Sequence, residues 1–216
     1  MTTGMATEKT QDRPLDAEVV VVGGGPVGMG LAIELGQRGI RTIVVERYPQ
    51  PQKIPKGQNL TQRTMEHFHF WGAEAQLRAA RTIPREYGIG GLTAYGTLLG
   101  PHHYDWLQRD LVRQYYYTAN ERLPQYATEA VLRARVAELP AVQALYGWDG
   151  AGIAQDADGV TVTIAQKDGT QRELRAAYVV GCDGARSAVR QQAGITQTRT
   201  DHDRMMVLLV FRSQQH

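Results

Sequence analysis

Three glycines set at Gly23-x-Gly25-x-x-Gly28 have the spacing that brings a pyrophosphate against a backbone. Gly23 permits a tight turn. Gly25 has no side chain to hold a phosphate away, and Gly28 lets the following helix lie close to its sheet. The N–H groups and partial positive charge of that helix start then face the phosphates. A carboxylate stands 23 positions after Gly23, as Glu46. There it accepts hydrogen bonds from the two ribose hydroxyls of an adenosine and repels a 2′-phosphate. FAD and NAD share this ADP half, so the fingerprint alone does not separate them.

The motif needs a strand before it and a helix and a second strand after it. Glu18–Val22, with four successive valines, reads as a strand buried on both faces. Val27, Leu31 and Leu35 recur at helical spacing, Gly39 supplies a stop, and Arg41–Glu46 (RTIVVE) reads as a parallel second strand. Pro49–Gly57 is a loop, and Thr61–Arg81 reads as helical with a break at Trp71-Gly72. Gly88–Gly100 reads as turn plus strand, and Tyr115–Tyr117 as a strand. Gln125–Leu139 is a helix with Leu132, Val136 and Leu139 on one face, closed by Pro140. Two Asp-Gly turns, Asp158-Gly159 and Asp168-Gly169, mark a β-meander around the alternating Val160–Ala165. Tyr178–Gly181 reads as a buried strand, Ser187–Gln192 as a short helix capped by Ser187, and Met205–Phe211 as a last apolar strand.

The chain has 216 residues, 42% apolar and 21% charged, with a net charge of +2. That is globular composition, with no charge excess to attract nucleic acid or an anionic membrane. The single cysteine, Cys182, excludes an internal disulfide and a multi-thiolate metal site. His67 and His69 are two apart on a presumed helix and face different ways, so no metal site is expected. His102-His103 reads as loop polarity. The Met1–Asp16 segment has no apolar stretch, so the expectation is a cytoplasmic protein with a mobile lead-in and no membrane span.

Further along, Tyr178-Val-Val-Gly-Cys-Asp183-Gly184-Ala-Arg186-Ser187-Ala-Val-Arg190 resembles the Asp-Gly motif of the single-component FAD-dependent aromatic hydroxylases. This is the para-hydroxybenzoate and phenol hydroxylase superfamily. Leu60-Thr-Gln-Arg63-Thr-Met-Glu66 is similar to the helix after that family's flavin loop. Leu123-Pro-Gln125, with Glu129 and Leu132, is similar to the segment whose glutamine touches the ribityl chain. Within the superfamily the chain looks most like the branch acting on substituted phenols and hydroxyphenylpropionate-type acids.

The resemblance implies an α/β fold: a Rossmann-like FAD-binding domain of the glutathione-reductase type with a β-meander, plus the start of a substrate-domain sheet. Residues 1–17 would be a flexible tail and 18–197 the FAD-binding domain, with 82–117 contributing to the substrate side. Residues 198–216 would begin the substrate domain. Gly23, Gly25, Pro26, Val27 and Gly28 would cradle the FAD pyrophosphate, and Glu46 would hold the ribose. Arg47 would lie along the adenosine. Lys56 would sit beside the flavin or pyrophosphate, where many relatives have arginine; lysine keeps the charge without the bidentate fork. Gln125 would reach the ribityl chain and Asp183 would organise a second phosphate-facing turn. Arg186 would either meet the hydride-donating nucleotide or serve as a salt-bridge partner. The Tyr115–Tyr117 run fits a substrate-pocket lining or an ordinary aromatic strand. Cys182 reads as a small buried residue.

By the same resemblance NADH or NADPH reduces FAD, and a flavin hydroperoxide passes a hydroxyl group to a phenolic ring. The partners would be a small aromatic substrate and dioxygen, without nucleic acid or membrane. The resemblance assigns no catalytic side chain within these residues. The family's later Gly-Asp motif does not occur here, so the expectation is the N-terminal portion of an enzyme about twice as long, not competent alone. A homodimer and a separate C-terminal half both stay open. Two other functions do as well: a dehydrogenase or reductase on the same fold, and a non-catalytic FAD-binding fragment.

Overall fold

Along the computed structural model the elements run β1 (Ala17–Val22), α1 (Pro26–Gln37), β2 (Thr42–Glu46), β3 (Asn59–Leu60), α2 (Gln62–Phe70) and α3 (Glu74–Ala79). Then come β4 (Leu92–Ala94), β5 (His103–Asp105), a 3₁₀ turn (Arg113–Tyr115), β6 (Glu121–Arg122) and α4 (Gln125–Ala137). The last are β7 (Val142–Tyr146), β8 (Asp149–Asp156), β9 (Gly159–Ala165), β10 (Gln171–Gly181) and α5 (Ala188–Gln192). The structure describes residues 13–54, 56–82, 92–97, 100–105, 111, 113–198 and 207. They fall into two units. One takes in the chain up to Pro49 and Pro140–Ile195; the other takes in Gln50–Leu139 and the residues from Thr196 on.

The first unit is an α/β layer on a six-stranded sheet of order β7-β2-β1-β10-β9-β8. β7, β2, β1 and β10 are parallel, and β9 runs antiparallel to β10 and to β8. The valines explain the centre. Val20 and Val21 are wholly buried and Val22 nearly so, because β1 has neighbours on both sides. β9 alternates buried and half-buried positions, with Val162 and Ile164 inside. Val20, Val22, Ile43, Val45, Val162, Ile164 and Leu174 form one apolar cluster, the main burial that stabilises this unit.

The helix after the glycine turn forms as expected but buries a different face. Val27 is 75% exposed, while Leu31 and Leu35 are half-buried. The buried face is Gly28, Met29, Ala32, Ile33 and Gly36. Small residues at four-residue intervals let the helix backbone approach the sheet, and Met29 and Ile33 fill the flanks. The spacing of Val27, Leu31 and Leu35 marks a helix but does not show which face approaches the sheet.

Tyr178–Gly181 is not a buried strand. It is the end of the eleven-residue β10, with Tyr178 69% exposed and Val179 and Val180 half-buried. β1 pairs along it from Ala176 to Gly181, but β9 pairs only as far as Ala176. Among the described residues the other side of 177–181 has no strand. Upstream, Arg13 donates to the Glu173 carbonyl at 3.0 Å, and Asp16 accepts from the Arg175 N–H at 2.7 Å. β1 begins at Ala17, the last residue of the expected tail.

In the second unit, Thr61 caps α2 by accepting from the Thr64 N–H at 3.2 Å, and Gly72 separates α2 from α3. α4 buries Val131, Leu132 and Val136. The Tyr115–Tyr117 strand is not there: Tyr115 ends the 3₁₀ turn and all three tyrosines are exposed. Aromatic β-propensity needs a neighbouring strand to act on, and these residues have none among the described ones. β4 accounts for part of the expected Gly88–Gly100 strand; residues 88–91 and 98–99 lie outside the described residues. So does the Met205–Phe211 strand apart from Val207. No helix of the described residues is long and apolar enough to cross a membrane.

Candidate FAD-binding site

The glycine turn closes on a second turn that sequence spacing does not reveal. The β1–β2 ladder continues as Gly23 N–H donating to the Val45 carbonyl (2.8 Å), and β1–β10 as Cys182 N–H donating to that of Val22 (2.7 Å). This places Cys182-Asp183 directly on Gly23. Gly23 has φ +105°, and a Cβ there would lie 2.3 Å from the Cys182 carbonyl oxygen. A Cβ on Gly28 would lie 1.9 Å from the Gly23 carbonyl oxygen and 3.2 Å from the Cys182 Cβ. Gly25 is the opposite case: a Cβ there meets nothing within 4 Å. Two glycines are needed for packing. The third leaves open space at the start of α1.

That helix start suits an anion. Gly25 is its N-cap without a capping side chain, Pro26 opens it, and the first turn holds no acidic residue. Pro26 has no N–H, and Met29 N–H already donates to the Gly25 carbonyl (2.9 Å). By helix geometry the N–H groups of Val27 and Gly28 have no intrahelical acceptor. These donors and the open face of Gly25 fit a pyrophosphate.

Glu46 ends β2 beside this turn, 9% exposed. Its Oε2 accepts the Gly24 N–H at 2.7 Å and its Oε1 the Tyr48 N–H at 2.8 Å. The carboxylate therefore also ties the strand end to the glycine loop. Each oxygen keeps a lone pair for a ribose hydroxyl. Arg47 is exposed, 3.8 Å from Asp149 and 5.9 Å above the Tyr48 ring.

Asp183 spends its carboxylate on its own loop. Oδ2 accepts the N–H groups of Ala188 (2.7 Å) and Val189 (3.2 Å), and Oδ1 accepts from the Ser187 hydroxyl. Ser187 Oγ in turn accepts the Arg190 N–H at 2.9 Å, the expected cap of α5. Partial burial works against the Asp183 charge, yet the Ser187, Val189 and Ala188 donors outweigh it and hold the carboxyl below the usual range. Burial and the neighbouring Asp183 push the Cys182 thiol up, away from thiolate chemistry. Arg186 is exposed and donates to none of the described residues.

A carboxyl with a lowered folded pKa binds fewer protons folded than unfolded. It stabilises above the unfolded value and loses that stabilisation as pH falls through the folded one. Asp183→Asn should therefore lower the urea midpoint at pH 7. The gap to the wild type should close below about pH 4. A gap that stays constant from pH 7 to pH 3 would show that the Asp183 charge contributes nothing.

The second unit holds Lys56 and Gln125. Lys56 is exposed. Gln125 N–H donates to the Gly57 carbonyl at 3.0 Å, and the Gln125 Oε1 would lie 3.6 Å from a Cβ on Gly57. Its Nε2 donates to Glu129 at 2.7 Å. So Lys56-Gly57 and Gln125, remote in sequence, are neighbours here. His67 stacks on Trp71, and His69 pairs with Glu74 at 3.1 Å, which occupies both histidines within the fold.

Residues missed by sequence reasoning are Gly24, whose N–H holds Glu46, and the backbone of Cys182, which walls the glycine turn. Backbone groups carry both contacts, and no side-chain pattern signals them.

A family model described as FAD binding domain matches residues 16–215. A 3-(3-hydroxy-phenyl)propionate/3-hydroxycinnamic acid hydroxylase of Burkholderia cenocepacia (strain HI2424) is 32% identical over 88% of this chain and 34% of its own length. A rifampicin monooxygenase of Streptomyces venezuelae is 37% identical over 82% of this chain and 34% of its own. The flavin-dependent monooxygenase PieE, solved with FAD and substrate, superposes with TM-score 0.73 at 29% identity, covering 84% of this chain and 33% of that one. Aklavinone-11 hydroxylase, solved with FAD and aklavinone, gives 0.72 at 28%, covering 85% and 36%. The chain thus spans about a third of the length of the curated relatives it matches.

Proposed function

The chain belongs to the FAD-binding domain family of the flavin-dependent aromatic hydroxylases and monooxygenases, and from that premise we propose how its residues serve the reaction. The proposed activity of the whole protein is hydroxylation of a phenolic ring at the expense of NADH or NADPH and dioxygen. One observation carries the cofactor assignment. The open face of Gly25, the donors of α1 and the Glu46 carboxylate lie together on one turn, walled by the Cys182-Asp183 backbone.

In this reading Gly25, Pro26, Val27 and Gly28 receive the pyrophosphate, and Glu46 accepts from the ribose while bracing the loop. Arg47 lies along the adenosine half. Gln125, with Lys56-Gly57, serves the ribityl and flavin end. Arg186, exposed and without an acceptor among the described residues, offers its fixed charge to the phosphate of the reducing nucleotide. Asp183 holds the turn that presents it. When bound, FAD supplies two-electron chemistry with the nicotinamide and activates dioxygen. The residues of this chain bind and orient it.

The test is the visible absorbance of the purified chain before and after added FAD, with the released flavin identified. Stoichiometric FAD is expected. A folded protein that takes up no flavin would overturn the assignment. For the whole protein, dioxygen uptake that depends on a phenol supports hydroxylation, while nicotinamide oxidation without uptake points to a reductase.

A further inference from the structure

We propose that Glu121 is a positioning residue for FAD, a buried register lock that keeps Gln125 opposite Gly57. The proposal rests on Gln125 and Lys56-Gly57 meeting the flavin end, as above. β3 and β6 are only two residues each, paired as Asn59 with Arg122 and Leu60 with Glu121. The zipper continues through Leu123 N–H to the Gln58 carbonyl (2.9 Å) and Gln125 N–H to that of Gly57 (3.0 Å). A ladder this short has little register preference of its own.

Glu121 supplies it. Its side chain is 1% exposed, and it accepts from Arg78 Nη1 at 3.1 Å and Arg81 Nη1 at 2.7 Å. Arg78 also donates to Glu74 (3.0 and 2.8 Å) and to Thr118 Oγ1 (2.6 Å). α3 and the residue pair beyond it thus carry a fork of cations into which only one side-chain direction of β6 fits. A one-residue slip turns Glu121 to the other face of the ladder. That takes a shared acceptor from Arg78 and Arg81 and leaves a buried carboxylate without either of its cationic partners. A buried ion pair is weak evidence for stability, but fixing register is its best-attested use. The slip would also carry the Gln125 amide off the Gly57 carbonyl and displace the side chain that follows it.

Glu121→Gln tests this in the full chain, with Arg78→Lys as a second variant should the first fail to fold. Two quantities are read: hydrogen exchange at the Leu123 and Gln125 amides, and the FAD dissociation constant. Exchange faster by about tenfold or more is expected at those amides, with the β1 and β2 amides unchanged. FAD binding weaker by about tenfold is expected, and adding Gln125→Ala should cost little more, because both act at one place. Unchanged exchange at Leu123 and Gln125 overturns the lock. Faster exchange with unchanged FAD affinity, or independent losses in the double variant, overturns its service to FAD. Failure of the cofactor reading shows separately, as a wild-type chain that binds no FAD while Glu121→Gln still speeds exchange.

Discussion

Gly28→Ala and Gly25→Ala should fail in different ways. The Gly28 methyl would sit 1.9 Å from the Gly23 carbonyl oxygen, a backbone atom that cannot rotate aside. α1 must lift off β1, and overpacking of this kind costs about 1–3 kcal/mol or more. The expected result is a lowered melting temperature together with loss of bound FAD. Gly25 has φ −73°, a conformation open to any residue, and its added methyl meets nothing. Gly25→Ala should therefore melt like the wild type. If the pyrophosphate lies on that open face, the same methyl should weaken FAD by about tenfold or more, roughly 1.4 kcal/mol. Thermal unfolding with and without FAD separates the two. A Gly25→Ala protein with wild-type FAD affinity would move the pyrophosphate away from this turn.

Glu46 should show the second large effect, because it does two jobs. Glu46→Ala removes the acceptor of two backbone N–H groups at a buried position, those of Gly24 and Tyr48. Each unsatisfied donor costs about 1–3 kcal/mol, so a total of about 2–6 kcal/mol should appear in the urea midpoint. FAD affinity should fall as well, by about a hundredfold or more, since hydrogen bonds to a charged group are worth about 1.5–3 kcal/mol each. Glu46→Gln separates the jobs. It keeps one oxygen for the loop but turns an NH₂ toward the other donor, so it should recover part of the stability and little of the affinity. Equal affinity of Glu46→Ala and wild type for FAD would remove the ribose from Glu46 and leave only the brace.

Much of the first unit was legible because its signals are local. Four valines in a row, three glycines at fixed spacing and a carboxylate at the end of the next strand each depend only on near neighbours. The Asp-Gly turns of the meander were readable for the same reason. The tyrosine run misled because β-propensity has no force without a paired strand. Tyr178–Gly181 misled because burial depends on how far β9 pairs along β10, and that pairing ends with Val160 opposite Ala176. The buried face of α1 was not legible because close approach is a property of two elements and not of one.

Taken alone, the sequence determined the fold class, the family, and the glycine turn with an acidic residue at the end of the next strand. Periodicity, turn chemistry and residue type are written directly in the chain. Only the tertiary structure decided that Cys182-Asp183 walls Gly23, that Glu46 braces Gly24, and that Gly57 meets Gln125. It alone placed Glu121 between Arg78 and Arg81. These contacts join residues far apart in the chain, largely through backbone groups that every residue carries. Their partners are therefore chosen by strand order and register and not by residue type.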